Sequence, residues 1–172
     1  MSTHLVLTVI AADKPGLVET LAQTIKAHAG NWLESRMARM AGQFAGILRV
    51  DIAEADVDAL RRDLEALNSQ GISVQLAISA AEAEREPDHL QLDLLGNDRP
   101  GLVLEVSQVL ARHGVNVEAL ETERSPAPMS ADLLFRAEAL LAVGPQTDLD
   151  QLRRDLESLA DDLMVDISLA GH

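Results

Sequence analysis

Asp13-Lys14-Pro15-Gly16-Leu17-Val18 returns later in the chain as Asp98-Arg99-Pro100-Gly101-Leu102-Val103, an offset of 85 residues (98 − 13). The same offset carries His4-Leu5 onto His89-Leu90, His28 onto His113 and Asn31 onto Asn116. Further on, Leu60-Arg61-Arg62-Asp63-Leu64-Glu65 recurs unchanged as Leu152-Arg153-Arg154-Asp155-Leu156-Glu157, at an offset of 92 (152 − 60). One small unit has therefore been laid down twice, and its fold is read once for both copies. The growth of the offset places an insertion in copy two, expected at Ser125-Pro126-Ala127-Pro128, where two prolines oppose continuous strand pairing. Between the copies, a charged stretch closed by Pro87 reads as a linker. The expected division is a first domain over 1–80, a linker over 81–87 and a second domain over 88–172.

Hydrophobic period assigns the elements of each copy. Leu5, Leu7 and Val9 alternate with their neighbours, as do Leu90, Leu92 and Leu94, so both openings are strands. Leu17, Leu21 and Ile25, matched by Leu102, Val106 and Leu110, have the spacing of an amphipathic helix. Strand-like runs over 31–40 and 44–53 flank the hairpin signal Ala41-Gly42-Gln43, with 118–124 and 132–142 as counterparts. Val57, Leu60, Leu64 and Leu67, with Leu149, Leu152, Leu156 and Leu159, predict a second helix. Alternation at Ile72, Val74, Leu76, Ile78 and at Val165, Ile167, Leu169 predicts a last strand. The order is βαββαβ twice. Right-handed crossovers make each copy an α+β, ferredoxin-like unit, an antiparallel sheet with both helices on one face.

Composition narrows the function. The 172 residues carry 28 acidic and 14 basic side chains, a net charge of −14 that repels phosphate backbones. Aromatic residues make up 2%, with Trp32 alone among tryptophans and no tyrosine, which removes the stacking platforms of single-strand binders. Direct nucleic-acid binding is disfavoured, and protein or small-molecule partners are expected. The absence of cysteine excludes disulfides, cysteine metal sites and a thiol nucleophile. No apolar run reaches the roughly 18 residues of a membrane span, and Met1-Ser2-Thr3-His4 lacks the features of a signal peptide, so a cytoplasmic location is expected. No Gly-x-Ser-x-Gly elbow and no phosphate loop is present, and the chain is not expected to be an enzyme.

The repeated turn carries two readings. It is a helix start, with Asp13 or its neighbour capping amides and Pro15 setting φ in the first turn. It is also a place where bare Gly16 lets a carboxylate approach the positive end of a helix, with Gly101 its copy. Asn31 and Asn116 likewise read either as turn residues tolerant of left-handed geometry or as amides offering a donor and an acceptor to a zwitterion. His28 and His113, at the ends of their helices, are expected to satisfy late carbonyls. With His4, His89 and His172 they include no pair at zinc-motif spacing, and neither metal nor cofactor is expected. Met37 and Met40 are assigned to core gaps near Trp32, with a pocket or partner surface as the other reading. Arg61-Arg62 and Arg153-Arg154, interleaved with acids, read as solvated helix faces.

The βαββαβ order, the duplicated Asp-x-Pro-Gly-Leu-Val turn and the asparagine opening the second strand resemble the ACT domain, a regulatory module that binds amino acids. Ala12 to Val18 followed by Gly30-Asn31-Trp32-Leu33-Glu34-Ser35-Arg36-Met37, in two modules, resembles the glycine cleavage system transcriptional repressor family. The resemblance implies paired modules, brought together within one chain or in a homodimer. It implies a ligand, glycine or another amino acid, held by Asp13, Pro15, Gly16, Leu17 and Asn31, and by Asp98, Pro100, Gly101, Leu102 and Asn116. It further implies repression of glycine cleavage genes through contact with a transcriptional activator rather than with DNA. The alternative is a stand-alone ACT sensor that controls a metabolic enzyme. Copy two departs through its proline insertion and its acidic Glu118, Glu121 and Glu123.

Overall fold

The computed structural model describes residues 1–79 and 86–171. The chain divides into two compact units, Met1–Ala83 and Glu84–His172. Of the segment read as a linker, residues 81–85 lie outside the described residues, as does His172.

Module one runs β1 (Ser2–Ala12), α1 (Leu17–Ala27), β2 (Asn31–Met40), β3 (Gln43–Ala53), α2 (Val57–Ala66) and β4 (Ile72–Ile78). Module two runs β5 (Asp88–Asn97), α3 (Leu102–Arg112), β6 (Asn116–Pro126), β7 (Leu133–Val143), α4 (Leu149–Leu163) and β8 (Val165–Gly171). The sheets have the orders β2-β3-β1-β4 and β6-β7-β5-β8, with every pairing antiparallel. Each module is βαββαβ, the ferredoxin-like α+β arrangement read from the period.

Alternation on β1 turns Leu5, Leu7 and Val9 toward the helices, where each is buried. Leu17, Leu21 and Ile25 of α1 and Leu60 and Leu64 of α2 close over them. In module two Leu90, Leu92 and Leu94 meet Leu102, Val106 and Leu110 of α3 and Leu152 and Leu156 of α4. Burying each such side chain contributes about 1.5–3 kcal/mol, and no polar side chain among the described residues is buried with them. Trp32 and Met37 pack against the first core, as expected of gap fillers. Met40 does not: it is 74% exposed, because it ends β2 at the hairpin tip.

The insertion in copy two is only partly where its prolines pointed. Trp32 and Val50 are paired in module one and Val117 and Leu141 in module two, so the offset is 85 on the second strand and 91 (141 − 50) on the third. Six of the seven extra residues thus lengthen the hairpin tip, and the seventh falls between β7 and α4. Ser125 and Pro126 do not break the pairing; they still face Leu134 and Leu133. Proline is accepted there because β6 is an edge strand, where a missing N–H costs no ladder bond. Module one closes the same hairpin with Ala41 and Gly42, at φ of 48° and 80°, the two-residue turn whose twist suits paired strands. Among the described residues, no helix is long and apolar enough to cross a membrane.

Candidate functional site

Both repeated turns place their glycine, not their aspartate, at the helix cap. Gly16 and Gly101 adopt φ of 90° and 91°, the left-handed region, and neither α1 nor α3 has a side-chain cap. The capping role read for Asp13 is therefore not realised. Pro15 and Pro100 also fall one residue before the cap, outside the helix, so Leu17 and Leu102 are the first helical residues. The carboxylate of Asp13 instead accepts from Arg39 Nε at 2.7 Å, and that of Asp98 from Arg124 at 3.1 Å. Arg39 and Arg124 stand 85 residues apart, in the repeat's own register (124 − 39), which was the signal available in the sequence. The pairs form because each arginine lies near the end of the edge strand, beside the turn that leaves the first strand.

The two corners are chemically unequal. In module one an open cleft of about 290 Å³ is lined by Asp13, Lys14, Gly16, Leu17 and Phe44 among others. A Cβ added to Gly16 would meet nothing within 4 Å. In module two, Arg99 reaches both carboxylate oxygens of Glu105 at 2.9 Å, and Glu105 Oε1 would stand 3.9 Å from a Cβ on Gly101. Thr20 holds the position of Glu105 in module one, and its hydroxyl donates to the Gly16 carbonyl at 2.9 Å. Both helices thus carry an acid in the first turn, where the dipole favours one, but Glu105 is held beside Gly101 by Arg99, whereas Glu19 lines the module-one cleft and accepts from Gln23 at 3.1 Å.

Asn31 does not join this corner within its own module. It pairs with Asp51, which pairs with His4, whereas the turn follows Ala12. Eight residues of strand at about 3.3 Å each separate the two levels, roughly 26 Å. Asn116 is likewise level with His89, at the far end of β5 from Asp98. The left-handed residues after the first helices are Ala29 and Gly114, not the asparagines, so the turn reading for Asn31 and Asn116 fails as well.

A second duplicated pair ties the helices together. His28 Nε2 lies 2.7 Å from Asp63 Oδ2, and His113 Nε2 lies 2.7 Å from Asp155 Oδ2. Each histidine ends the first helix but turns its ring to a carboxylate on the second, rather than to helix carbonyls. Hydrogen bonds from His113 and Gln151 hold the Asp155 carboxyl below its ordinary value. Arg62 and Arg153 remain exposed, with Arg153 bonded to the Leu169 carbonyl. Among the described residues, no group of three or more His, Asp and Glu side chains could hold a metal ion.

Residues 3–77 match a family model for the ACT domain, and residues 91–161 match a second ACT-domain model. The chain belongs to the ACT-domain family. The tandem ACT chain is 35% identical over 65 residues to a UPF0237 protein of Methanopyrus kandleri, an alignment spanning 37% of this chain and 72% of the other. The crystal structure of an unknown protein from Galdieria sulphuraria superposes with a TM-score of 0.88 at 28% identity, covering 100% of this chain and 99% of that one. A crystal structure provisionally described as a glycine cleavage system transcriptional repressor superposes with a TM-score of 0.69 at 19% identity, covering 98% and 96%. At that identity the likeness is one of fold.

Proposed function

We propose that this tandem ACT protein senses an amino acid and regulates by contact with another protein, without catalysis of its own. The observation that carries the reading is the module-one corner: an uncapped helix start at Gly16, open to solvent and bordered by the carboxylates of Asp13 and Glu19 and the cations of Lys14 and Arg39. A zwitterion fits this pattern. Its carboxylate meets the first-turn amides from Leu17 onward, and its ammonium meets Asp13, which Arg39 orients. Pro15 fixes the approach to the cap. Asp98, Pro100, Gly101 and Leu102 offer the same frame in module two, where Glu105 competes for the anion position. Asn31 and Asn116 are too far from the corner of their own module to share its ligand.

The finer reading is repression of glycine cleavage genes through an activator, with glycine as the signal. It is supported by the module pair, by the likeness in fold to the provisionally described repressor and by the acidic charge, which turns the protein away from DNA. Calorimetry of the full chain with glycine and the other amino acids tests the sensing. A ligand should bind, and Gly16→Ala should weaken it more than tenfold while the chain stays folded at the working temperature. Failure of every amino acid to bind would remove the reading. Capture from lysate tests the output: a helix-turn-helix activator supports repression, and a metabolic enzyme supports the sensor of enzyme activity.

A further inference from the structure

Module two contains a small apolar cavity of about 40 Å³ between α3 and its sheet. Val106, Leu110 and Ala139 help to wall it, and exposed Val103, Val117 and Leu120 rim its mouth. The one hydroxyl in the wall, on Ser107, donates to the Leu104 carbonyl at 2.9 Å, so its proton is used within α3. Protein interiors are close-packed, and a void forfeits the dispersion contacts of its lining.

Module one shows what fills this place. In the matched register Trp32 stands where module two has Val117, and Leu48, facing Leu7, stands where Ala139 faces Leu92. Leu48 is buried, and Trp32 packs against the first core together with Met37, whose counterpart is Thr122. Leu94 and Leu120 return some bulk at the positions of Val9 and Ser35, yet the cavity persists. Module two thus has an isopropyl and a methyl group where module one has an indole and an isobutyl group.

We propose that this cavity is a second ligand site, separate from the glycine corners, which takes a compact branched aliphatic group on a small uncharged molecule. The cavity encloses only the methyl tips of such a group, one or two carbons, with the rest seated at the mouth, since an apolar cavity of roughly 150 Å³ encloses the six carbons of benzene. Charge is disfavoured because the apolar walls supply no partner for an ion.

The test is a titration of the full chain with isobutanol, read by the methyl carbon-13 spectrum. Saturable shifts are expected at Val103, Val106, Leu110 and Val117, with isobutyrate, the same hydrocarbon carrying a carboxylate, at least about tenfold weaker. Ala139→Leu, which restores the module-one residue, should abolish the shifts. Val117→Trp does so from the opposite wall and should also raise the melting temperature, so the loss can be read if either variant fails to fold. Absent or non-saturable shifts, unchanged shifts in both variants, or equal binding of isobutyrate would overturn the site. Shifts of the same methyls with protein concentration alone would overturn it too, by assigning the cavity to a second copy. Binding of amino acids at the Gly16 corner should be unchanged in both variants, which keeps the two readings separate.

Discussion

Asp155 accepts two side-chain hydrogen bonds, from His113 and from Gln151 at 2.8 Å, whereas Ala59 holds the place of Gln151 beside Asp63. A carboxyl held below its ordinary value binds a proton less readily when folded than when unfolded. Its stabilisation is therefore complete above the unfolded value of about 3.9 and fades as pH falls through the folded one. Asp155→Asn should lower the urea midpoint near neutral pH, and the two unfolding curves should converge in acid. A gap that persisted at low pH would show that the tie is not ionic. Gly101 is constrained by its backbone. Its φ of 91° strains any residue with a Cβ, so Gly101→Ala should cost about 1–2 kcal/mol in equilibrium unfolding. The histidine at the start of each module keeps an acidic neighbour by different means: His4 lies 3.6 Å from Asp51 on β3, and His89 lies 2.8 Å from Glu118 on β6. The repeat has kept this local contact while exchanging the residue that supplies it.

The elements were legible because a buried face imposes its period on the chain, and two copies reporting the same period leave little freedom. Leu5-Leu7-Val9 and Leu60-Leu64 read correctly for that reason. The corner was legible only as a place. Which side chains meet there depends on strand register, and Asp13 finds Arg39 at a separation of 26 positions, beyond any local pattern. Asn31 shows the converse, since equal spacing in both copies proves common origin but not nearness to Gly16. The two hairpin tips have one backbone bond in common. Gly42 in one and Leu133 in the other present the carbonyl that accepts from Asp13 N at 2.9 Å and Asp98 N at 2.8 Å. Replacing Pro126–Leu133 by Ala-Gly should therefore keep that bond and fold, shifting stability by about 1 kcal/mol or less, because loop closure depends weakly on length. Loss of folding would mean that the longer tip is needed to hold β6 in register.

For the whole molecule, the dominant facts are two cores, each with its own sheet and helices, and a strongly acidic balance. An electrophoretic assay with duplex DNA at physiological salt should show no shift, since phosphate binding depends on neutralisation by lysine and arginine. Tight, sequence-specific retardation by the isolated protein would contradict the charge reading. Trp32 and Leu48 against Val117 and Ala139 show that the two copies share a frame but differ in how the interior is filled. On that asymmetry rests the proposal of a second, different ligand for module two.

β2 and β6 each form one edge of their sheet. Each bears an irregularity near its start, between Trp32 and Glu34 and between Val117 and Ala119, and each is studded with charges such as Arg36, Arg39, Glu121 and Glu123. Pro126 adds a missing N–H to the second. Such features make a poor template for uncontrolled strand addition. Any strand addition should accordingly be steered to the opposite edges, β4 and β8, of which β4 carries no charged side chain.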